Sequence, residues 1–237
     1  MRGSIILEIY RMTRTLLSGR KKYYSQCGED FLASLYLPEK KINYIDIGSG
    51  NPIDGSNTYL FYKRGGSGIC VDLVQNNIML SKWIRPRDKV LRSLVIGKSL
   101  MSEQRKTFKW WEMYPPGYST ASVEDFKSAL RLGASLVQQS EIDAMSFQEV
   151  WEQLNPKLPL FLTIDTEGLD FDILSAIDFG FCRPRVICVE TPSKITRENT
   201  DSLLVNAGYV TTGRTILSSI YTDYDYLRRN DQLKHWI

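Results

Sequence analysis

The sequence predicts an α/β fold: a doubly wound parallel sheet of seven strands that closes with an antiparallel terminal hairpin. Three observations predict it. From residue 42 onward, short β-branched apolar runs alternate with helical patterns; several of the runs end in an acidic residue; and the last two are joined by a turn instead of a helix. Strands buried on both faces, each followed by a helix, specify parallel pairing. A chain of 237 residues, 43% hydrophobic, supplies one core of the size this needs.

The first 24 residues read as a basic extension ahead of that domain. Arg2, Arg11, Arg14, Arg20, Lys21 and Lys22 face only Glu8, while Ile5, Ile6, Ile9 and Leu16 recur at roughly helical spacing, which predicts a basic amphipathic helix. Either it packs on the domain edge with a solvated basic face, or it attaches peripherally to an anionic membrane surface. The apolar run 5–7 is too short to span a bilayer or to form a signal-peptide core.

Residues 25–237 then read as a single domain. Strands are expected at 42–47, 68–73 and 89–96, with helices at 56–63 and 76–84, the second stopping before Pro86. Further strands are expected at 158–164 and 186–189, with a helix at 170–177. A helix at 200–206 leads through Gly208 to the closing strands, 209–212 and 216–222. Cys27, Cys70, Cys182 and Cys188 are scattered with no Cys-x-x-Cys pair, and they read as reduced, buried thiols of a cytoplasmic protein. His235 is the sole histidine, so a histidine base or a histidine metal cluster is nearly excluded. A net charge of +3 predicts no nucleic-acid partner.

The first strand runs into Asp46-Ile47-Gly48-Ser49-Gly50, an acid followed by a turn with two glycines. Gly48 and Gly50 are expected to let the backbone approach a ligand. The third glycine of a dinucleotide fingerprint is missing, because Pro52 and Ile53 occupy that part of the loop. This Rossmann-like turn therefore suits a ligand with an amino-acid moiety and a ribose but no phosphates, of which S-adenosylmethionine is the common one. Asp72, at the end of the second strand, is placed to accept from both ribose hydroxyls; the alternative is a loop or capping acid.

Acids also close later strands. Asp165 ends the fourth strand and Glu190 the fifth, and Glu167 follows in the turn Thr163-Ile164-Asp165-Thr166-Glu167-Gly168. Asp170 and Asp172 fall in the next helical turn, where the helix dipole favours anions. Asp165, Glu167 and Glu190 are candidates for deprotonating an acceptor hydroxyl; alternatively Asp165 and Glu167, with Glu190 as a third oxygen ligand, can hold a divalent cation such as Mg²⁺, Mn²⁺ or Ca²⁺, Asp165 and Glu190 being the leading metal candidates.

Taken in order, Tyr24-Ser25-Gln26-Cys27-Gly28-Glu29-Asp30, Tyr44 to Gly50, Ser56-Asn57-Thr58-Tyr59, Ile164 to Gly168 and Val186 to Glu190 resemble the FkbM family of S-adenosylmethionine-dependent methyltransferases. The resemblance implies a class I methyltransferase sheet and methyl transfer to an oxygen, often a hydroxyl of a sugar or glycan. It further implies that Gln26 and Glu29 lie over the donor, that Asp46 and Gly48 approach its methionine end, and that Asp72 holds the ribose. Gly50, Asn57 and Leu73 complete the donor-site candidates.

Between the third and fourth strands, at about 99–141, lies an aromatic and proline-rich stretch that fits no strand–helix repeat. It is expected to form a lid over the rim, with Trp110, Trp111 and Tyr118 as candidate contacts to a small-molecule or glycan acceptor. A hydrophobic staple, or a contact within a homodimer, is the other reading of the same residues. Two further functions stay open from sequence: a nicotinamide-dependent sugar oxidoreductase, and a non-catalytic nucleotide-binding scaffold.

Overall fold

The computed structural model of the protein describes residues 2–17, 23–97, 107–115, 118–154, 160–166 and 168–230. Its strands, in chain order, are β1 (Asn43–Ile47), β2 (Ser67–Asp72), β3 (Lys89–Arg92), β4 (Leu94–Ile96), β5 (Thr107–Tyr114), β6 (Ser135–Ser146), β7 (Leu160–Ile164), β8 (Val186–Glu190), β9 (Tyr209–Arg214) and β10 (Ser218–Asp223). The helices are α1 (Arg2–Leu17), α2 (Glu29–Ser34), α3 (Tyr59–Lys63), α4 (Gln75–Ile84), α5 (Val123–Arg131), α6 (Phe147–Trp151), α7 (Asp170–Ser175), α8 (Lys194–Asn206) and α9 (Tyr224–Arg229).

Seven strands form the central sheet in the order β3-β2-β1-β7-β8-β10-β9. The first five pair in parallel, and β10 runs antiparallel to both of its neighbours, as the missing helix between the last two strands predicts. The order reverses between β1 and β7, so the ends of those strands form the switch point where ligands of such sheets bind. Side chains alternate across the sheet. One face carries Ile45, Val71, Leu162, Ile164 and Val189 under α6, α7 and α8. The other carries Tyr44, Cys70, Phe161, Cys188 and Ile220 under α2, α3 and α9. On this second face the register sets Cys70, Asp46, Thr163 and Cys188 side by side, so the core turns polar toward the strand ends.

Several expectations change. The strand expected at 89–96 is two strands in two sheets. β3 stays beside β2, whereas β4 pairs with β6, because the chain switches sheets at Ser93, whose hydroxyl donates to the Asp143 carbonyl at 2.7 Å. The helix expected at 56–63 begins only at Tyr59: Ser56 Oγ accepts from the amides of Thr58 and Tyr59, so those residues act as its cap. Cys27 is exposed, while the other three thiols are free and buried.

The insertion has regular structure. β4, β6 and β5 make a three-stranded sheet, with α5 packed on it. Trp111 stacks on Phe126 with ring centroids 4.9 Å apart, and Met113, Ala129 and Ala134 complete a small separate core. Ser122 caps α5 by accepting from the Asp125 amide.

Helix α1 packs through Ile5 and Met12 onto Ile53 and Leu80, and its polar side chains grip the loop after the glycine turn. Asn51 donates to Glu8 at 2.6 Å, Arg11 bonds both Glu8 and Asp54, and Thr15 donates to Asp54. Of the expected apolar stripe only Ile5 packs inward; Ile6, Ile9 and Leu16 are exposed. The loop at 51–54 offers polar partners, so Glu8, Arg11 and Thr15 set the orientation of the helix.

Candidate functional site

The glycine turn is folded against its own chain. Gly48 and Ser49 both donate to the Val71 carbonyl, at 2.9 and 3.1 Å, and the Gly50 amide donates to Asp72 Oδ2 at 2.8 Å. These amides are therefore spent internally, and no cradle of free backbone donors faces a pyrophosphate. That weighs against the nicotinamide reading. Gly48 is glycine for a reason other than ligand approach: a Cβ there would fall 1.7 Å from the Asp165 carbonyl oxygen of the neighbouring strand end. At Gly50 (φ +59°) a Cβ would meet nothing nearer than 4.0 Å, so backbone conformation dictates glycine.

Asp72 is buried and accepts from the amides of Gly50, Leu73 and Val74 and from the Asn77 side chain. Burial raises its carboxyl above the ordinary value, and these bonds pull it back. Asp72 thus organises the turn, its carboxylate oxygens met by donors of its own chain. Leu73 follows it, and Arg92 donates to the Leu73 carbonyl at 3.0 Å.

Asp46 ends a buried polar chain that sequence reasoning missed. Arg85 has a fully buried side chain. Its Nε bonds Asp88 at 2.6 Å and its Nη2 donates to Thr58 Oγ1 at 2.8 Å; the Thr58 hydroxyl in turn donates to Asp46. Ser56 and Tyr44 close the network around Arg85 and Asp88. Burial pushes the Asp46 carboxyl up to about 6, against the opposing pull of Arg85 and the Thr58 hydroxyl. In sequence, Arg85-Pro86-Arg87-Asp88 looks like a solvated loop, and only the fold reveals it as interior.

The segment before β1 forms a knot beside the turn. Asp30 accepts from the Tyr24 and Phe31 amides and from Ser25 Oγ, while Ser25 makes an isolated bridge to Gly55. Glu29 accepts from the Cys27 amide and from Thr215 Oγ1, which ties the knot to the β9–β10 loop. Gln26 is exposed and lies over Gly55. Asn57 donates to Thr163 Oγ1 at 3.0 Å and so bridges from the start of α3 to β7. Asn57 thus lies on the second-face side of the switch point.

Asp165 and Glu190 stand at adjacent strand ends, beside the paired residues Ile164 and Val189. Glu167 lies outside the described residues. Asp170 accepts from the amides of Thr166 and Gly168, so it organises the turn as well as starting α7. Among the described residues no group of three or more His, Cys, Asp or Glu is arranged to hold a metal ion.

The two candidate tryptophans of the insertion part company. Trp111 is buried in the insertion's own core, and its indole N–H donates to Gln139 at 3.0 Å, as expected of a staple. Trp110, on the opposite face of β5, is half-buried and holds a buried indole N–H with no hydrogen-bond partner. It pairs with Ser140, whose hydroxyl accepts from the same Arg92 guanidinium that reaches the Leu73 carbonyl. Arg92 thereby ties this part of the insertion to the rim beside Asp72. Tyr118 is exposed on the hairpin loop. Lys109 and Glu141 line an open cleft together with Phe108 and Trp111.

A sheet of this strand order, with a glycine turn after β1 and an acid after β2, defines a class I methyltransferase fold. The profile of the family described as "Methyltransferase FkbM domain" matches residues 46–219, and the chain belongs to that family. It is an S-adenosylmethionine-dependent methyltransferase. Similar solved structures include a TehB-like SAM-dependent methyltransferase from Corynebacterium glutamicum (10% identity, 94% of this chain and 100% of that one, TM-score 0.44). Others are a precorrin-6y C5,15-methyltransferase from Geobacter metallireducens (11%, 81% and 83%, TM-score 0.39) and a SAM-dependent methyltransferase from Aquifex aeolicus (9%, 89% and 96%, TM-score 0.36). No curated protein matches the chain.

The rim offers such a donor polar atoms: Ser49 and Thr166 carry buried hydroxyl oxygens with no hydrogen-bond partner on either side of the Gly48–Asp165 contact.

Proposed function

We propose that the protein methylates a hydroxyl of a sugar or glycan. The observation that carries this reading is Trp110: an aromatic face with an unpaired indole N–H, tied to the donor rim through Arg92. An indole offers the apolar face of a pyranose a flat surface, and its N–H needs an oxygen acceptor when buried. A sugar supplies both.

When bound, the donor supplies an electrophilic methyl group on a sulfonium. Asp72 and the hydroxyls of Ser49 and Thr166 would hold it, with Asp46 toward the methionine end and Gln26 over it. Asp165 and Glu190, with Glu167 beside them in sequence, are assigned to orienting the acceptor hydroxyl and taking its proton. Asp165 and Glu190, with Glu167, would equally supply oxygen ligands to a divalent cation that lowers the pKa of the acceptor hydroxyl.

The test is a mass-spectrometric screen for methyl transfer onto monosaccharides, oligosaccharides and lipid-linked sugars, with Mg²⁺ and with EDTA. Transfer to a sugar hydroxyl that Trp110→Ala weakens supports the proposal. Transfer confined to non-sugar acceptors would refute it.

A further inference from the structure

We propose that the outward face of α1 is a docking surface for an anionic lipid bilayer. The inference is independent of the methyl acceptor. Ile5, Glu8, Met12 and Thr15 recur at helical spacing and face the domain, held by Asn51 and Asp54. A helix anchored on that stripe should show polar residues on its other side. Instead Ile6, Leu7, Tyr10 and Leu17 are 65%, 52%, 62% and 79% exposed, and around the helix they cluster with Arg14 opposite the anchored stripe.

Charge selects the occupant. The single acid of α1, Glu8, is turned inward and bonded to Asn51 and Arg11, so no acid within the helix offsets Arg14 on the outer side. The following sequence adds Arg20, Lys21 and Lys22. A second copy of this face would bring like charges together, and a nucleic acid would leave four apolar side chains without a partner. An anionic bilayer satisfies both, with the apolar side chains at the acyl boundary and the cations among the headgroups. At 16 residues α1 is about 24 Å long. None of the helices among the described residues is long and apolar enough to cross a membrane, so α1 would lie flat in the interface.

The test is co-sedimentation of the whole chain with phosphatidylcholine vesicles, with and without phosphatidylserine. Binding should need the anionic lipid and weaken with salt. Leu17→Glu should lower the partition by about tenfold or more and Arg14→Glu by about fivefold or more, with S-adenosylhomocysteine affinity retained in both as the check on folding. Equal binding to neutral vesicles, no binding at all, or unchanged binding by both variants overturns the proposal. So does a dimer in light scattering that Leu17→Glu dissolves, which would assign the face to a second copy.

Discussion

At the rim of the seven-stranded sheet, Asp72, Asp46, Glu29 and Asp30 all accept hydrogen bonds from their own chain, whereas on the insertion Trp110 keeps its indole N–H unpaired. The first region is built before anything binds: its carboxylates hold loops in place, while the buried hydroxyl oxygens of Ser49 and Thr166 have no hydrogen-bond partner. The second has its own small core and turns one aromatic residue inward and its neighbour outward. A donor used in every turnover suits a preorganised cradle. An acceptor that must enter and leave suits a surface whose polar atom waits for a partner.

That contrast can be broken most forcefully at Arg85. Arg85→Met leaves Asp88 and Asp46 buried without their cation and should cost about 3–5 kcal/mol in urea unfolding. A loss below about 1 kcal/mol would show that the network does not hold the donor side together. Next come the paired tryptophans. Trp111→Ala should cost about 3 kcal/mol through its cavity, with donor affinity kept. Trp110→Ala should barely change stability but raise the acceptor KM about tenfold, in line with an aromatic contact and one hydrogen bond. Identical effects from the two would erase the distinction between staple and contact.

In steady-state kinetics Glu190→Gln should lower kcat about 100-fold while the donor KM stays level, if that carboxylate helps remove the proton. The smallest effect is one of pH. The Asp46 carboxyl is held at about 6 in the fold against an ordinary 3.8, so the fold keeps a proton that the unfolded chain gives up. Its contribution to stability is therefore full below the unfolded value and is lost as pH rises through about 6. Asp46→Asn should flatten that part of the stability profile. If the ionised Asp46 faces the donor's ammonium, donor affinity should move the opposite way and weaken below about pH 6.

Much of the donor side was legible in the sequence because local residue order carries it. Strands buried on both faces announce themselves as continuous apolar runs, and the acids at 46, 72, 165 and 190 mark their ends. Other features depend on contacts between distant segments. Gly48 is fixed by the Asp165 carbonyl on another strand, and Arg85 by Asp88 and Thr58. The insertion hid its strands because β5 and β6 mix aromatic, charged and polar residues on a half-solvated sheet, which blurs a period of two. The orientation of α1 is set by the polar loop at 51–54 that it grips, which apolar spacing within the helix does not carry.

The division between donor rim and acceptor surface is tested most directly by calorimetric titration of S-adenosylhomocysteine into the wild type, Asp72→Ala and Trp110→Ala. The expected result is one site on the wild type, affinity about 100-fold weaker in Asp72→Ala as the turn loses its acceptor, and no change in Trp110→Ala. Wild-type affinity in Asp72→Ala, or a loss of donor binding in Trp110→Ala, would contradict it.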